Sequence, residues 1–242
     1  MGKIKMISII NYLKDCLFPI FCIECKVEGE WWCKKCIKKN ELGVFYCPVC
    51  HLKNTNGKAC QKCQSSCYLN GVAAFFDYDE HAPVGQLIKK FKYNFAYDIS
   101  RVWQTLSDEA SLKIIDQLQI NACELSIVPI PLHIRRYRER GFNQSELIAD
   151  AINEQIKNKI TTSLDTVGLC RSKITKQQAK LNRKERMENM KDAFIWTKNI
   201  PPTRVVILVD DVYTSGSTMQ ECARVLKKAG AQKVYGLVIA RD

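Results

Sequence analysis

Fourteen residues, Val205-Val-Ile-Leu-Val-Asp-Asp-Val-Tyr-Thr-Ser-Gly-Ser-Thr218, join two kinds of chemistry. An apolar run of the type buried on both faces in a parallel sheet ends in two carboxylates, Asp210 and Asp211. A hydroxyl-rich turn, Thr214, Ser215, Gly216, Ser217 and Thr218, then opens a helix. Backbone N–H groups at a helix start, beside hydroxyls and a glycine that permits close approach, cradle an anion. Two acidic side chains facing that cradle would repel a phosphate, but they suit sugar hydroxyls. A phosphate with a diol one sugar-length away is a ribose 5-phosphate.

Cysteine supplies the second chemistry. Ten of the 13 cysteines fall between Cys16 and Cys67, leaving Cys123, Cys170 and Cys222 for the rest of the chain. Four C-x-x-C pairs stand in order: Cys22/Cys25, Cys33/Cys36, Cys47/Cys50 and Cys60/Cys63. A two-residue gap lets one turn point both sulfurs at one ion, and two such knuckles complete a tetrahedral S4 site. Cys47-Pro-Val-Cys50 and Cys60-Gln-Lys-Cys63 look like the knuckles of a zinc ribbon. Eight thiolates imply two Zn2+ ions, and consecutive or nested pairing of the knuckles both fit. Disulfides, a redox pair or an iron–sulfur cluster are the alternatives; four repeated pairs favour zinc. All-cysteine sites leave no position open for water, so the metal is expected to be structural and to hold together a segment poor in core residues. Cys16, His51 and Cys67 are spare donors.

The net charge of +12 is concentrated rather than spread. Residues 1–67 carry eleven Lys against five acidic residues. Residues 169–191 carry eight basic residues, Arg171 and Lys173 among them, against Glu185 and Glu188. These two surpluses account for the whole excess. Residues 1–21 read as an amphipathic segment covering the cysteine module, with a membrane-surface helix as the second reading. They offer no small-residue cleavage site, which points to a cytoplasmic protein. No apolar run approaches the roughly 18–20 residues of a spanning helix.

Elements that could position these groups follow from periodicity. Strands are predicted over 72–76, 125–130, 204–209 and 234–240, and helices over 83–95, 99–118, 143–156 and 217–229. Strands alternating with helices predict an α/β fold built on a doubly wound, mostly parallel sheet. The domain reading is an N-terminal segment (1–21), a double zinc-ribbon module (22–67) and an α/β domain (71–242).

The Asp210–Thr218 stretch resembles the signature of type I phosphoribosyltransferases. That resemblance implies that Asp210 and Asp211 hold the ribose hydroxyls of phosphoribosyl pyrophosphate (PRPP), with Thr214, Ser215, Gly216, Ser217 and Thr218 on its 5-phosphate. Ser215 stands where many such enzymes have threonine, and the hydroxyl is retained. Val128-Pro-Ile-Pro131 with Arg140-Gly-Phe-Asn-Gln144 narrows the resemblance to the ComF family of competence proteins, which also carries an N-terminal multi-cysteine region. Its other marks are Lys89-Lys-Phe-Lys-Tyr93, the Arg171–Thr175–Gln178–Leu181 spacing, Arg186 with Asn189, and Ala240-Arg241. The likeness runs from about Cys22 to Arg241.

Of the four arginines before the Gly-Phe-Asn-Gln turn, Arg140 is the best candidate for a pyrophosphate contact. Arg135 and Arg136 are as readily a solvated face. Segment 169–191 falls where a hood covers the active site in such enzymes.

Two functions follow from the resemblance. The first is a cytoplasmic accessory protein of natural transformation that handles single-stranded DNA beside a helicase-like partner and keeps a PRPP-type site. Trp31, Trp32, Phe45, Tyr46 and Tyr68, interleaved with lysines, would offer stacking faces, although packing around the zinc sites is the plainer role for each. The second is a working phosphoribosyltransferase using PRPP with Mg2+, in which Asp210 and Asp211 stabilise developing positive charge and Asp211 is a candidate base. Its acceptor, a base or an amine, is not written in the sequence.

Overall fold

The structure is a computed structural model that describes residues 19–40, 43–93, 97–105, 108–120, 122, 124–173 and 183–242. Residues 1–18 of the predicted amphipathic segment and 174–182 of the predicted hood lie outside them. The chain divides into two units, Met1–Asn40 and Glu41–Asp242, so one group of four cysteines falls in each. The first unit holds a cysteine turn and the short helix α1 (Lys34–Ile37).

The second unit opens with β1 (Val44–Phe45) and β2 (Gly71–Asp77), followed by the helices α2 (Pro83–Tyr93), α3 (Ser100–Gln104) and α4 (Asp108–Gln117). Then come β3 (Glu124–Pro129), α5 (Ile134–Arg140), α6 (Gln144–Ile156), β4 (Thr161–Leu164) and β5 (Leu169–Arg171). The chain continues through α7 (Arg183–Met190), β6 (Phe194–Trp196), β7 (Val205–Tyr213), α8 (Ser217–Lys228) and β8 (Lys233–Arg241).

Six strands form one sheet in the order β1-β2-β8-β7-β3-β4. Every pairing from β2 to β4 is parallel, and only β1 runs antiparallel, against β2. A separate antiparallel pair joins β5 and β6. This is the predicted fold class. Helices cover both faces, which is why β7 and β8 are nearly continuous in apolar residues.

On one face Val128, Val206, Leu208, Val72 and Ala74 pack with Met219, Cys222, Ala223 and Leu226 of α8. On the other, α6 buries Ile148, Ala149, Ile152 and Ile156 and lies against β3 and β7. Each such Ile or Leu contributes about 1.5–3 kcal/mol by leaving water.

The single helix predicted over 99–118 is corrected to two, α3 and α4. At Thr105 the backbone N–H reaches back three residues to Val102 O at 3.0 Å, and its hydroxyl donates to the same carbonyl at 2.6 Å. The next carbonyl, of Trp103, accepts instead from Gln155 Nε2 on α6 at 3.2 Å. Tertiary bonding thus takes over the groups that would have propagated the helix. Strand β7 also runs further than predicted, through Asp210 and Asp211 to Tyr213, because β8 pairs with it as far as Arg241.

The connection after β3 leads outward to β4, while that after β7 leads the opposite way, to β8. The order therefore reverses between β3 and β7. In open α/β sheets such a reversal leaves a crevice at the carboxyl ends of the strands. Among the described residues no helix is long and apolar enough to cross a membrane.

Candidate ribose-phosphate site and cysteine tetrads

The crevice is a cavity of about 620 Å³ lined by Asp210, Asp211, Thr214, Ser215, Gly216, Ser217, Thr218 and Arg140. All the site residues singled out in the phosphoribosyl signature therefore meet in one place. Arg136, Arg171, Lys92, Ser145 and Tyr78 line it as well.

The loop owes its shape to Gly216. It sits at φ 73° in the left-handed region as the N-cap of α8, and a Cβ there would collide with the Tyr213 hydroxyl. Within the loop, Ser217 and Ser215 share a hydroxyl–hydroxyl hydrogen bond of 3.0 Å. The opposite wall is set by Gly141 at φ 81°, which ends α5, and by Asn143, which caps α6 by accepting from Ser145 N at 3.2 Å. Asn143 Nδ2 also donates to Ile130 O at 3.1 Å, fixing that turn to the end of β3.

The paired aspartates have different surroundings. Asp210 Oδ1 accepts from Ser145 Oγ at 2.8 Å and from the Asp211 N–H at 2.9 Å. Asp211 Oδ2 lies 3.0 Å from Lys92 Nζ at the end of α2. Loss of hydration and the neighbouring Asp211 charge push the Asp210 carboxyl up to about 7, against the pull of Ser145 and Lys92. Asp210 therefore holds its proton far more readily than a free aspartate does. Lys92 and Ser145 received no role from the sequence. Lys92 stands in the Lys89–Tyr93 motif, whose repeated lysines were the available signal.

The arginines separate. Arg140 donates to Gln144 Oε1 at 2.9 Å on the cavity wall. Arg136 also lines the cavity, whereas Arg135 is exposed and pairs with Glu139 at 3.2 Å. Arg171, on β5, rests over the Phe194 ring at 5.5 Å. Burial and the charge of Arg136 pull its pKa down.

The cysteines form two groups, Cys22/Cys25/Cys33/Cys36 and Cys47/Cys50/Cys60/Cys63, each with all sulfurs within 4.8 Å of one another. Consecutive knuckles are thus the ones brought together. Cys25 and Cys33 sulfurs are 3.7 Å apart, and Cys50 and Cys60 sulfurs 3.8 Å. A disulfide needs about 2.05 Å. A tetrahedron of sulfurs at about 2.3 Å from one ion has edges of about 3.8 Å, so both groups fit Zn2+.

The two leading knuckles repeat each other bond for bond. Cys22 N donates to Val27 O at 2.8 Å, and Cys47 N to Leu52 O at 2.9 Å. Cys33 N donates to Cys22 Sγ and Cys60 N to Cys47 Sγ, both at 3.4 Å. Lys26 and His51 occupy the same left-handed position, at φ 61° and 65°. Two of the spare donors do other work: His51 Nδ1 bonds Arg241 at 2.7 Å, and Cys67 Sγ donates to Leu69 O at 3.1 Å, while Cys16 lies outside the described residues.

Of the aromatic set, Trp32, Phe45 and Tyr46 are buried, and Tyr68 is 45% exposed. Packing takes the first three away from any ligand.

A mostly parallel sheet with acidic residues and a phosphate-type loop at its switch point is the type I phosphoribosyltransferase architecture. A family profile described as "Phosphoribosyl transferase domain" matches residues 145–242. The chain is 34% identical over 164 residues to Competence protein F of Haemophilus influenzae, covering 66% of this chain and 68% of that protein. It is 29% identical over 231 residues to DNA utilization protein YhgH of Escherichia coli K12, covering 92% and 97%. With Competence protein ComFC of Streptococcus pneumoniae it shares 27% identity over 213 residues, 86% and 87%. The chain belongs to the ComF family of competence proteins.

Proposed function

We propose that this protein serves DNA uptake in the cytoplasm, handling incoming single-stranded DNA, and that its cavity takes PRPP or a related ribose phosphate. One observation carries the second half: Asp210, Asp211 and the Thr214–Thr218 loop line the same cavity, at the end of β7 and the start of α8. Relatives named for competence and DNA utilization support the first half, together with the basic surplus of segments 1–67 and 169–191. A helicase-like protein of the same uptake system is the expected partner.

In this reading the loop N–H groups and hydroxyls bind the 5-phosphate, and Asp210 and Asp211 accept from the ribose hydroxyls. Arg136, Arg140 and Arg171 face the pyrophosphate, which arrives with Mg2+ as its counterion. Each cysteine tetrad holds one Zn2+, which supplies a fixed crosslink and no open coordination position.

Phosphoribosyl transfer is the second reading, favoured by those three arginines lining one cavity with the loop. A pyrophosphate leaving group needs such a clamp, whereas a simple phosphate site does not. A nitrogen nucleophile would bond to ribose C1 as the C1–O bond breaks. Pyrophosphate would leave with the electron pair, and an aspartate would take the nitrogen's proton.

Calorimetry with PRPP/Mg2+ and fluorescence anisotropy with a labelled oligonucleotide test both halves. Binding of PRPP that disappears in Asp210→Ala/Asp211→Ala is expected, as is oligonucleotide binding that weakens steeply with salt. No oligonucleotide binding at low salt would sink the DNA half. Pyrophosphate release with some amine or base, absent in the double variant, would establish transfer.

A further inference from the structure

We propose that the Cys47/Cys50/Cys60/Cys63 tetrad and the phosphate loop are one coupled unit: metal on the thiols pre-orders the loop, and phosphate in the loop tightens the hold on the metal. The inference rests on the loop's being a phosphate site.

Tyr213 is the link. It is the last residue of β7, buried, and its hydroxyl donates to Pro48 O at 2.7 Å. Pro48 lies inside the Cys47–Cys50 turn, whose backbone is fixed when both thiols point at one ion. The same tyrosine hydroxyl lies where a Gly216 Cβ would be, so it sets the floor of the loop.

Two further ties run between the same segments. Arg241 bonds His51 Nδ1 at 2.7 Å, donates to Tyr213 O at 3.3 Å, and lies over the Tyr46 and Tyr213 rings at 5.3 and 5.9 Å. His51 also meets the Tyr213 ring edge-on, with centroids 5.9 Å apart. Gln220, in the first turn of α8, accepts from Tyr68 N at 2.9 Å and donates to Cys67 Sγ at 3.2 Å. Its own N–H closes on Gly216 O at 2.9 Å.

A cysteine turn that loosens without metal therefore releases an acceptor for Tyr213 and the stack under Arg241. Both hold the loop in its anion-accepting form. Coupling between two sites is reciprocal: whatever factor metal adds to phosphate affinity, phosphate adds to metal affinity.

Tyr213→Phe is the discriminating variant, because it keeps the ring beneath Gly216 and removes the hydroxyl that bonds Pro48 and Gln220. Gln220→Met leaves the Tyr213–Pro48 bond in place, cuts the ties to Tyr68 and Cys67, and serves where the first variant fails to fold. Zinc is counted by mass spectrometry, ribose 5-phosphate affinity by calorimetry, and zinc loss by transfer to a colorimetric chelator. Two zinc ions per chain are expected in all three proteins. Ribose 5-phosphate affinity should fall about 10-fold in Tyr213→Phe, and less in Gln220→Met. The sugar phosphate should slow the loss of one of the two ions in the wild type, and much less so in the variants.

Equal affinity in both variants, or zinc loss indifferent to ribose 5-phosphate in a wild type that binds it, overturns the coupling alone. So does undiminished binding by protein stripped of metal at Cys47–Cys63. A wild type that fails to bind ribose 5-phosphate overturns the phosphate-loop reading and the coupling with it.

Discussion

Lys92 Nζ lies 3.0 Å from Asp211 Oδ2, with only 24% and 11% of the two side chains exposed. The lysine sits at the end of α2 and the aspartate near the end of β7, so one ion pair ties a helix to the centre of the sheet. It also offsets part of the repulsion between Asp210 and Asp211. Lys92→Met should destabilise the protein by about 1–3 kcal/mol at pH 8, since it leaves a largely buried carboxylate without its cation. The loss should shrink at pH 5, where Asp210 is protonated and its charge no longer adds to that of Asp211. Thermal melts at the two pH values check this.

Asp210 gives the opposite sign. Its carboxyl is raised from 3.8 to about 7, so between those values the folded chain holds a proton that the unfolded chain releases. The stability linked to that proton is fully present below about pH 4 and is lost as pH rises through 7. Asp210→Asn keeps an oxygen for Ser145 and the Asp211 N–H but cannot ionise. It should be more stable than the wild type at pH 8, by as much as about 4 kcal/mol, keep less than half of that advantage at pH 5, and lose it below about pH 4. Equal melting of the two proteins at pH 8 would contradict the raised carboxyl.

Gly216→Ala meets two obstacles, a left-handed backbone and the Tyr213 hydroxyl. A cost of about 1–3 kcal/mol in stability is expected. Ribose 5-phosphate binding should fall by at least 10-fold, because the loop must move to admit the methyl group. Denaturant melts and calorimetry measure the two effects separately.

Arg171 lines the cavity, and in the proposed reading it contacts the pyrophosphate rather than the 5-phosphate. Arg171→Ala should weaken PRPP/Mg2+ about 10-fold or more while leaving ribose 5-phosphate within about 2-fold. An equal loss for both ligands would show that the arginine acts on the loop instead.

Much of this arrangement is legible in the sequence, for physical reasons that differ by residue. Val205–Val209 is apolar without alternation because both faces are covered, and that made the inner strand visible. The C-x-x-C spacing is a local geometric requirement, so the metal-type groups were visible too. Their pairing was not, because it depends on which turns the chain brings together. The break near Thr105 depends on Gln155, about 50 residues away, claiming the Trp103 carbonyl. Lys92 and Ser145 reach the aspartates only through the order of strands and helices around the sheet. Short edge pieces such as β4 to β6, and the seven-residue helix α5, carry too few residues for any period to stand out.

The pairing of β2 with β8 has a consequence for how the chain is born. Residues Gly71–Asp77 find their partner strand only when residues near 235–241 have been made. At about 5–20 residues per second, a ribosome takes roughly 10–30 s to cover that distance. The Cys47–Cys63 thiols emerge before this delay, while Tyr213 and Arg241, which brace their turn, emerge near its end. For that interval the nascent cysteines depend on metal supply and on a reducing environment, and overexpression in zinc-poor medium should trap them in soluble disulfide-linked or aggregated chains.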